Sequence, residues 1–361
     1  YSNTKTGKAK SAKFRPSFFN LKSLVMIMQT TKVSINNKID ANFIKIIPIL
    51  YHKKSLKETR NRGIYRKVRL LRLWVFFVIM KVMKSYNTLN DYYRKLFGEK
   101  TFKVPIDAGF DCPNRDGTVA HGGCTFCTVS GSGDAIVAPD APIREQFYKE
   151  IDFMHRKWPD VQKYLVYFQN FTNTHEKVEV IRERYEQAIN EPGVVGINIG
   201  TRPDCLPDET IEYLAELSER MHVTVELGLQ TTYETTSDLI NRAHSYELYV
   251  ETVKRLRKYP KIEIVSHLIN GLPGETHEMM VENVRRCVTD NDIQGIKLHL
   301  LHLMTNTRMQ RDYHEGRLQL MSQDEYVKVI CDQLEIIPKH IVIHRITGDA
   351  PRDMLIGPMW S

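Results

Sequence analysis

Acidic residues are almost missing from the first 82 positions of this 361-residue chain, where Asp40 and Glu58 stand against 19 lysines and arginines. The same stretch shows no alternation of strand and helix patterns and no long hydrophobic run. Leu70 to Met80 spans eleven residues, too few for a membrane helix, which needs about 20. No signal peptide of ordinary form is visible. An acid-poor leader of this kind fits an organelle transit peptide, and a basic tail can grip RNA. The reading adopted is that residues 1–82 are an atypical basic leader outside the fold, for example sequence upstream of a true start at Met80 or Met83. No function is built on it. Without it the charge changes sign: residues 83–361 hold 32 basic and 41 acidic side chains, a net charge of −9, so the formal +8 of the chain does not argue for nucleic-acid binding. Cysteine is scarce as well. Of six, Cys205, Cys287 and Cys331 are scattered, which argues against a second cysteine cluster and leaves buried free thiols as the expectation.

What is present is concentrated. Cys112, Cys124 and Cys127 lie in Asp111-Cys-Pro-Asn-Arg-Asp-Gly-Thr-Val-Ala-His-Gly-Gly-Cys-Thr-Phe-Cys127, a glycine-rich loop directly after the strand-like run Thr101 to Asp107. Three thiolates from one loop can hold a 4Fe-4S cluster by three irons and leave the fourth without a protein ligand. If that iron chelates the amine and carboxylate of S-adenosylmethionine, one electron breaks the sulfonium bond and releases a 5'-deoxyadenosyl radical. The same thiols with His121 also make a legitimate zinc set. The loop alone leaves both readings open. A small zinc module would not require the strand and helix units that follow.

From about residue 84 the chain alternates regularly. Strand-like runs are Thr101 to Asp107, Tyr164 to Gln169, Val194 to Gly200, Val223 to Gln230, Ile262 to Ile269, Ile296 to Leu301 and Ile341 to Ile346. Between them Ile143, Phe147, Ile151, Met154 and Trp158 recur at helical spacing, as do Ile211, Leu214 and Leu217, and Met280, Val284 and Val288. Such alternation predicts a parallel sheet, open or a partial barrel, with the active site on loops at the carboxyl ends of the strands. The cysteine loop holds that position.

Other strand ends carry polar groups. Tyr167-Phe-Gln-Asn-Phe-Thr-Asn-Thr174 offers amides and hydroxyls suited to an ammonium or carboxylate, although Asn173 or Thr174 is equally read as a helix cap. In Thr201-Arg-Pro-Asp204, Arg202 can reach a ligand carboxylate or pair with Asp204. Alternation in Glu226 to Gln230 points Glu226, Gly228 and Gln230 to one face, into a lumen where a polar side chain needs a partner. Asn270-Gly-Leu-Pro-Gly-Glu-Thr276 is a glycine-rich turn entering a helix, able to approach a flat ligand closely.

Taken together and in this order, the cysteine loop, Thr201-Arg-Pro-Asp204, Gly228-Leu-Gln230 and Gly271-Leu-Pro-Gly-Glu-Thr276 resemble the radical S-adenosylmethionine superfamily. Within it, the eleven-residue gap between the first two cysteines resembles the YtqA/YhcC group, itself similar to the radical-SAM subunit of the Elongator complex. The resemblance covers about residues 84 to 361, including Lys297-Leu-His-Leu-Leu-His302 and His344-Arg-Ile-Thr-Gly-Asp-Ala-Pro351. Two departures are the end of the second strand, which is not the usual Gly-Gly-Glu, and His267, which stands where many members place glycine.

The resemblance implies a partial (β/α)6 TIM-like barrel with a C-terminal extension from about residue 303; separately, Gly357-Pro-Met-Trp-Ser361 ends abruptly on residues that read as interior to an element, so a further C-terminal helix is expected. The resemblance also implies a 4Fe-4S cluster on Cys112, Cys124 and Cys127, and S-adenosylmethionine surrounded by Gln169, Asn170, Arg202, Gln230, Gly271, Pro273 and Gly274. For YtqA-type members it implies the tRNA-modifying role called MnmL, in which wobble 5-carboxymethylaminomethyluridine becomes 5-aminomethyluridine. Lys297, His299, His302 and Arg345 are then candidates to hold the substrate carboxylate, and a flavodoxin or ferredoxin is the implied electron donor. An exposed cluster loop needs a reducing compartment, which places the protein in the cytoplasm. Two alternatives stay open: a radical-SAM enzyme acting on a small molecule or protein, and a non-catalytic metal-binding module.

Overall fold

The computed structural model describes residues 86–131, 136–348 and 350–361. The basic leader lies outside the described residues. The elements run β1 (Asn87–Thr88), α1 (Leu89–Phe97), β2 (Thr101–Ile106), α2 (Ile143–His155), β3 (Lys163–Phe168), α3 (Val178–Ile189) and β4 (Val194–Thr201). After a 3-10 turn at Pro203–Cys205 come α4 (Asp208–Ser218), β5 (His222–Gln230), α5 (Glu234–Leu239), α6 (Tyr246–Leu256), β6 (Ile262–Asn270), α7 (His277–Thr289) and β7 (Gly295–Leu300). The C-terminal part holds β8 (Leu303–Met304), α8 (Arg308–His314), α9 (Gln323–Ile336), β9 (Val342–Arg345) and β10 (Leu355–Gly357).

Eight strands form one parallel sheet in the order β1-β9-β7-β6-β5-β4-β3-β2, and β8 pairs with β10 antiparallel. The strands β2 to β7 are the six units that the alternation predicts, and β9 is the seventh. Each end falls within one residue of its predicted position. β1 has no sequence signal: its two residues are a strand only because they pair with Val342 and Ile343.

One face of each strand packs under helices. Ile197, Ile199, Val223, Val225 and Leu227 are completely buried there, as are Phe147 of α2 and Tyr185 of α3. The Tyr185 ring stacks on Phe168 at 4.5 Å and its hydroxyl donates to the Asn173 carbonyl at 2.6 Å. Burial of this apolar face, at about 25 cal/mol per Å², is the main force holding helices to sheet. α2 stops at His155, so Trp158 lies beyond the helix that its spacing suggested; its ring contacts Phe102 and sits 3.8 Å under the Lys100 ammonium.

The opposite face carries Lys103, Asn198, Glu226, His267 and Lys297. Lys103 on β2 and Lys297 on β7 both reach Glu226 on β5. In a flat sheet β2 and β5 would lie about 14 Å apart, so the shared carboxylate requires a sheet curled into a half-barrel with these side chains in its lumen. The two free edges, β2 and β1, leave one side open, and α1 lies against both β2 and β9. Among the described residues no helix is long and apolar enough to cross a membrane.

Candidate active site

α2 controls how the chain leaves β2. Gln146, 1% exposed, accepts from the Asp107 N–H at 2.9 Å and donates to the carbonyls of Asp107, Pro139 and Ala141. The cysteine loop that follows is fixed by its own backbone. The Cys112 carbonyl accepts from Arg115 and Asp116, that of Pro113 from Val119 and Ala120, that of Asn114 from Gly123, and that of Cys124 from Cys127. Gly122 and Gly123 have φ of 79° and 69°, a path that residues with side chains rarely take.

Distant segments hold the loop as well. The buried Asn114 donates to the carbonyls of Asn241 (2.5 Å) and Arg242 (3.4 Å), and its amide nitrogen stands 3.6 Å from Cys124 Sγ. Asn241 donates back to the carbonyls of His121 (3.1 Å) and Gly123 (2.8 Å). Thr125 donates to Ile240 and accepts from Met309 at the start of α8, both at 2.9 Å. The thiols of Cys124 and Cys127 are hydrogen-bonded to each other, and Cys112 lies within electrostatic reach of both. The Cys127 thiol, then Arg202, Asn114 and Arg242, bring Cys124 down to about 7 against the effect of burial. Among the described residues no three His, Cys, Asp or Glu side chains are grouped to hold a single metal ion.

At the end of β4, Arg202 takes the structural option: it holds Asp204 bidentately at 2.9 and 2.7 Å and donates to the carbonyls of Arg242 and Ala243. Its charge still reaches Cys112 and Cys124. Neither Asn173 nor Thr174 caps a helix, contrary to one expectation, because α3 starts only at Val178 with Lys177 before it. Asn173 instead donates to the carbonyls of Phe168, Asn170 and Gly200, and Thr174 bonds Thr201 and the Cys205 carbonyl. These buried groups meet strand-end carbonyls before any helix N–H comes within reach, so they tie β3 to β4.

Gln169 continues β3 by donating its N–H to the Ile106 carbonyl. Asn170, 2% exposed, donates to Asp107 at 2.5 Å, while its Oδ1 is buried with no partner among the described residues. The alternation of Glu226 and Gly228 breaks at a bulge before Gln230, whose φ is 60° and whose side-chain amide folds back against the carbonyls of Gly228 and Leu229. The Gly271-Leu-Pro273-Gly274 turn has φ of 88° and 77° at its two glycines, and Thr276 caps α7 by accepting from Met279. Asn270 and Gln333 exchange amide hydrogen bonds and fasten this turn to α9.

In the lumen Glu226, completely buried, is the centre. Its Oε1 accepts from Lys103 (2.5 Å) and Asn198 (3.2 Å), its Oε2 from Lys297 (2.5 Å) and His267 (3.1 Å). Burial alone would push this carboxyl up, but Lys103, Lys297 and His267 outweigh it and hold it well below the usual range. One carboxylate cannot neutralise every cation around it. Burial therefore brings the Lys297 ammonium down to about 7, with Glu226 opposing and Lys103 and Arg345 assisting.

Lys297 also donates to the Tyr167 hydroxyl at 3.0 Å. In the ladder it is registered opposite Arg345, whose exposed guanidinium is felt at Lys297, His299 and Tyr167. The rings of His267 and His299 lie 5.4 Å apart, and His299 Nε2 is buried without a partner among the described residues. His302 lies against Gly348. Lys297, His299 and Arg345 are thus brought together. Of the three scattered thiols, Cys205 and Cys287 are buried as expected; Cys331 is only half-buried, because α9 presents it near the surface.

Lys103, Asn114, Asn241 and Arg242 were not singled out from the sequence. Alternation through Thr101-Phe-Lys103 could have placed Lys103 on the lumen face, but nothing local marks Asn241, which acts more than a hundred residues from its partners. Replacing it tests the loop's support. Asn241 has φ of 53°, so Asn241→Ala combines lost hydrogen bonds with strain and is expected to cost roughly 2 kcal/mol, while Asn241→Gly removes the bonds alone. Both variants should lose bound iron to a chelator faster than the parent; equal rates would show that Asn241 does not support the loop.

Residues 116–287 match the Radical SAM superfamily, and residues 293–361 match the Radical_SAM C-terminal domain. The uncharacterized protein YtqA of Bacillus subtilis is 56% identical over 278 residues, covering 77% of this chain and 85% of that one. Protein YhcC of Escherichia coli is 35% identical over 282 residues, with 78% and 89% covered. More distantly, the tRNA uridine(34) acetyltransferase of Methanocaldococcus infernus is 28% identical over 177 residues, 47% of this chain and 32% of that protein. The solved structure of Methanocaldococcus infernus Elp3 shares the fold, with a TM-score of 0.55 at 18% identity over 71% of this chain and 58% of that one. The chain belongs to the radical SAM superfamily and is a radical SAM enzyme, with a 4Fe-4S cluster and S-adenosylmethionine as its cofactors.

Proposed function

We propose that this enzyme modifies the wobble uridine of tRNA, converting 5-carboxymethylaminomethyluridine to 5-aminomethyluridine. The observation that carries the substrate is the register that sets Lys297 opposite Arg345, with His299 two residues further along β7. Cations in the lumen and at the edge of a parallel half-barrel suit a side chain that ends in a carboxylate. The similarity to a protein named for tRNA uridine supports the nucleic-acid part of the reading. A one-electron donor such as flavodoxin or ferredoxin and a reducing cytoplasm belong to the same proposal.

The residues fit the cofactors. Cys112, Cys124 and Cys127 would hold the cluster: Cys124, lowered by Cys127 and Arg202, is the readiest to supply the thiolate that metals require, while the hydrogen bond with Cys124 raises Cys127 and burial raises Cys112. Asn170 Oδ1, buried and unpartnered among the described residues, matches an ammonium donor. Gly271 and Gly274 let the backbone approach a flat ring, Pro273 stiffens their turn, and Gln169, Arg202 and Gln230 would complete the wall. When bound, cluster and S-adenosylmethionine supply a 5'-deoxyadenosyl radical able to take hydrogen from the carbon between the substrate's amine and carboxylate. The chain's own work is positional: Arg345, Lys297, His299 and His302 orient the carboxylate, and the lumen walls keep water and stray C–H bonds away.

Wobble nucleosides from cells with and without the gene test the reading. Loss of the gene should raise 5-carboxymethylaminomethyluridine and deplete 5-aminomethyluridine. An unchanged pattern would move the enzyme to a small-molecule or protein substrate, which the −9 charge of residues 83–361 would suit.

A further inference from the structure

We propose that the gap between the free edges of the half-barrel is a carboxylate subsite, with Lys103 and Arg345 as its arms and Lys297 held behind them by Glu226. The proposal rests on the reading above for the source of the carboxylate. It centres that contact on Lys103 and Arg345, which line the open edge, because Lys297 lies deeper, its side chain 8% exposed against 17% for Lys103.

A cavity of about 370 Å³ opens between β2 and β9, lined among others by Thr88, Asn90, Tyr93, Lys103, His344 and Arg345. Its charge is unbalanced. Lys103 and Arg345 both face it, Arg345 makes no ion pair among the described residues, and the Lys103 ammonium shares Glu226 with Lys297. Semi-enclosed cations without enough counter-charge are costly, and an incoming anion relieves that cost. The polar lining is also unsatisfied: both ring nitrogens of His344 are buried without a partner among the described residues. Burial, with Lys103 beside it, keeps that ring neutral, so it adds no further positive charge to the wall of the cavity. Tyr93 of α1, 3% exposed and edge-on to His344 at 6.4 Å, forms an apolar wall.

Such a subsite separates substrate from product. The substrate side chain carries the acid and the product does not, so the contact that holds one is missing in the other, and release follows from the chemistry.

Calorimetric titration of the full chain with N-benzylglycine, its methyl ester and benzylamine tests the proposal. The acid is expected to bind about tenfold more tightly than the ester or the amine, the worth of one charge-assisted contact. That preference should fall below about threefold in Arg345→Gln and in Lys103→Gln, and survive in Arg345→Lys. Arg345→Gln changes an exposed side chain, so it reports even if Lys103→Gln fails to fold. Equal affinity for acid and ester, no binding of the acid, or a preference that persists in both glutamine variants would overturn the subsite. Unchanged wobble nucleosides together with an intact acid preference would remove tRNA as the source and leave the subsite standing.

Discussion

Cys127→Ala protein, reconstituted with iron and sulfide in the absence of oxygen, is expected to lack the brown chromophore. It should form 5'-deoxyadenosine at a rate lower by roughly three orders of magnitude or more. Two thiols cannot replace three: a corner of the cluster would need water or an external thiol, and reduction of S-adenosylmethionine depends on an intact site. The loss should not come from unfolding. The loop is fixed by the Asn114 and Asn241 amides, by Arg115 on the carbonyls of Thr128 and Val129, and by Thr125 between Ile240 and Met309, none of which involves Cys127 Sγ. Circular dichroism should therefore match the parent. The buried Cys287, hydrogen-bonded to Tyr249, is the control, and Cys287→Ala should keep both iron and product. Full iron content and normal 5'-deoxyadenosine in Cys127→Ala would remove the loop from the site.

Glu226→Gln is expected to be the most damaging single change to the fold. It removes the one negative charge among Lys103, Lys297 and His267 in a buried lumen, and breaking a buried ion pair from one side costs about 3–5 kcal/mol. At roughly 2–4 °C per kcal/mol for a fold of this size, the melting temperature should drop by about 10 °C. The pH dependence follows from the directions of the shifts. Glu226 is held below the ordinary carboxylate range, so its contribution is present above that range and lost as pH falls through the folded value. Lys297 is pushed down to about 7, so between about 7 and its ordinary value of 10.5 the unfolded chain binds more protons, and stability rises with pH across that window. Without Glu226 the lysines repel most while protonated. The deficit should be largest near pH 6 and narrow toward pH 9. Melting curves across that range that differ by less than about 2 °C, or by a constant amount, would show that the lumen charges are not coupled as described.

The sheet could be read from the sequence because parallel strands buried on both sides advertise themselves: Ile262 to Asn270 and Val194 to Thr201 carry few charges and sit between turns. The cysteine loop was legible because three thiols in one short segment have few structural reasons to occur. What escaped depends on distance in sequence. Lys103 looks like an ordinary strand lysine until the curl of the sheet brings Glu226 to it, 123 residues away. Asn241 and Arg242 follow a short helix in a stretch without a strong pattern, yet they bridge the ends of β2, β4 and β5 through backbone carbonyls. The bulge at Gln230 was equally hidden, since strict alternation says nothing of where a ladder slips. Even Arg202, placed correctly at its strand end, had two readings that only the Asp204 geometry could separate.

Because Asn114, Asn241 and Thr125 brace the loop through polypeptide alone, assembly of the inorganic cofactor starts on a scaffold already shaped to receive it. Little ordering entropy then remains to be lost when iron arrives, and oxidative destruction of the metal should leave a chain that can be refilled without passing through a denatured stage. Small zinc modules, which collapse when stripped, lie at the opposite extreme.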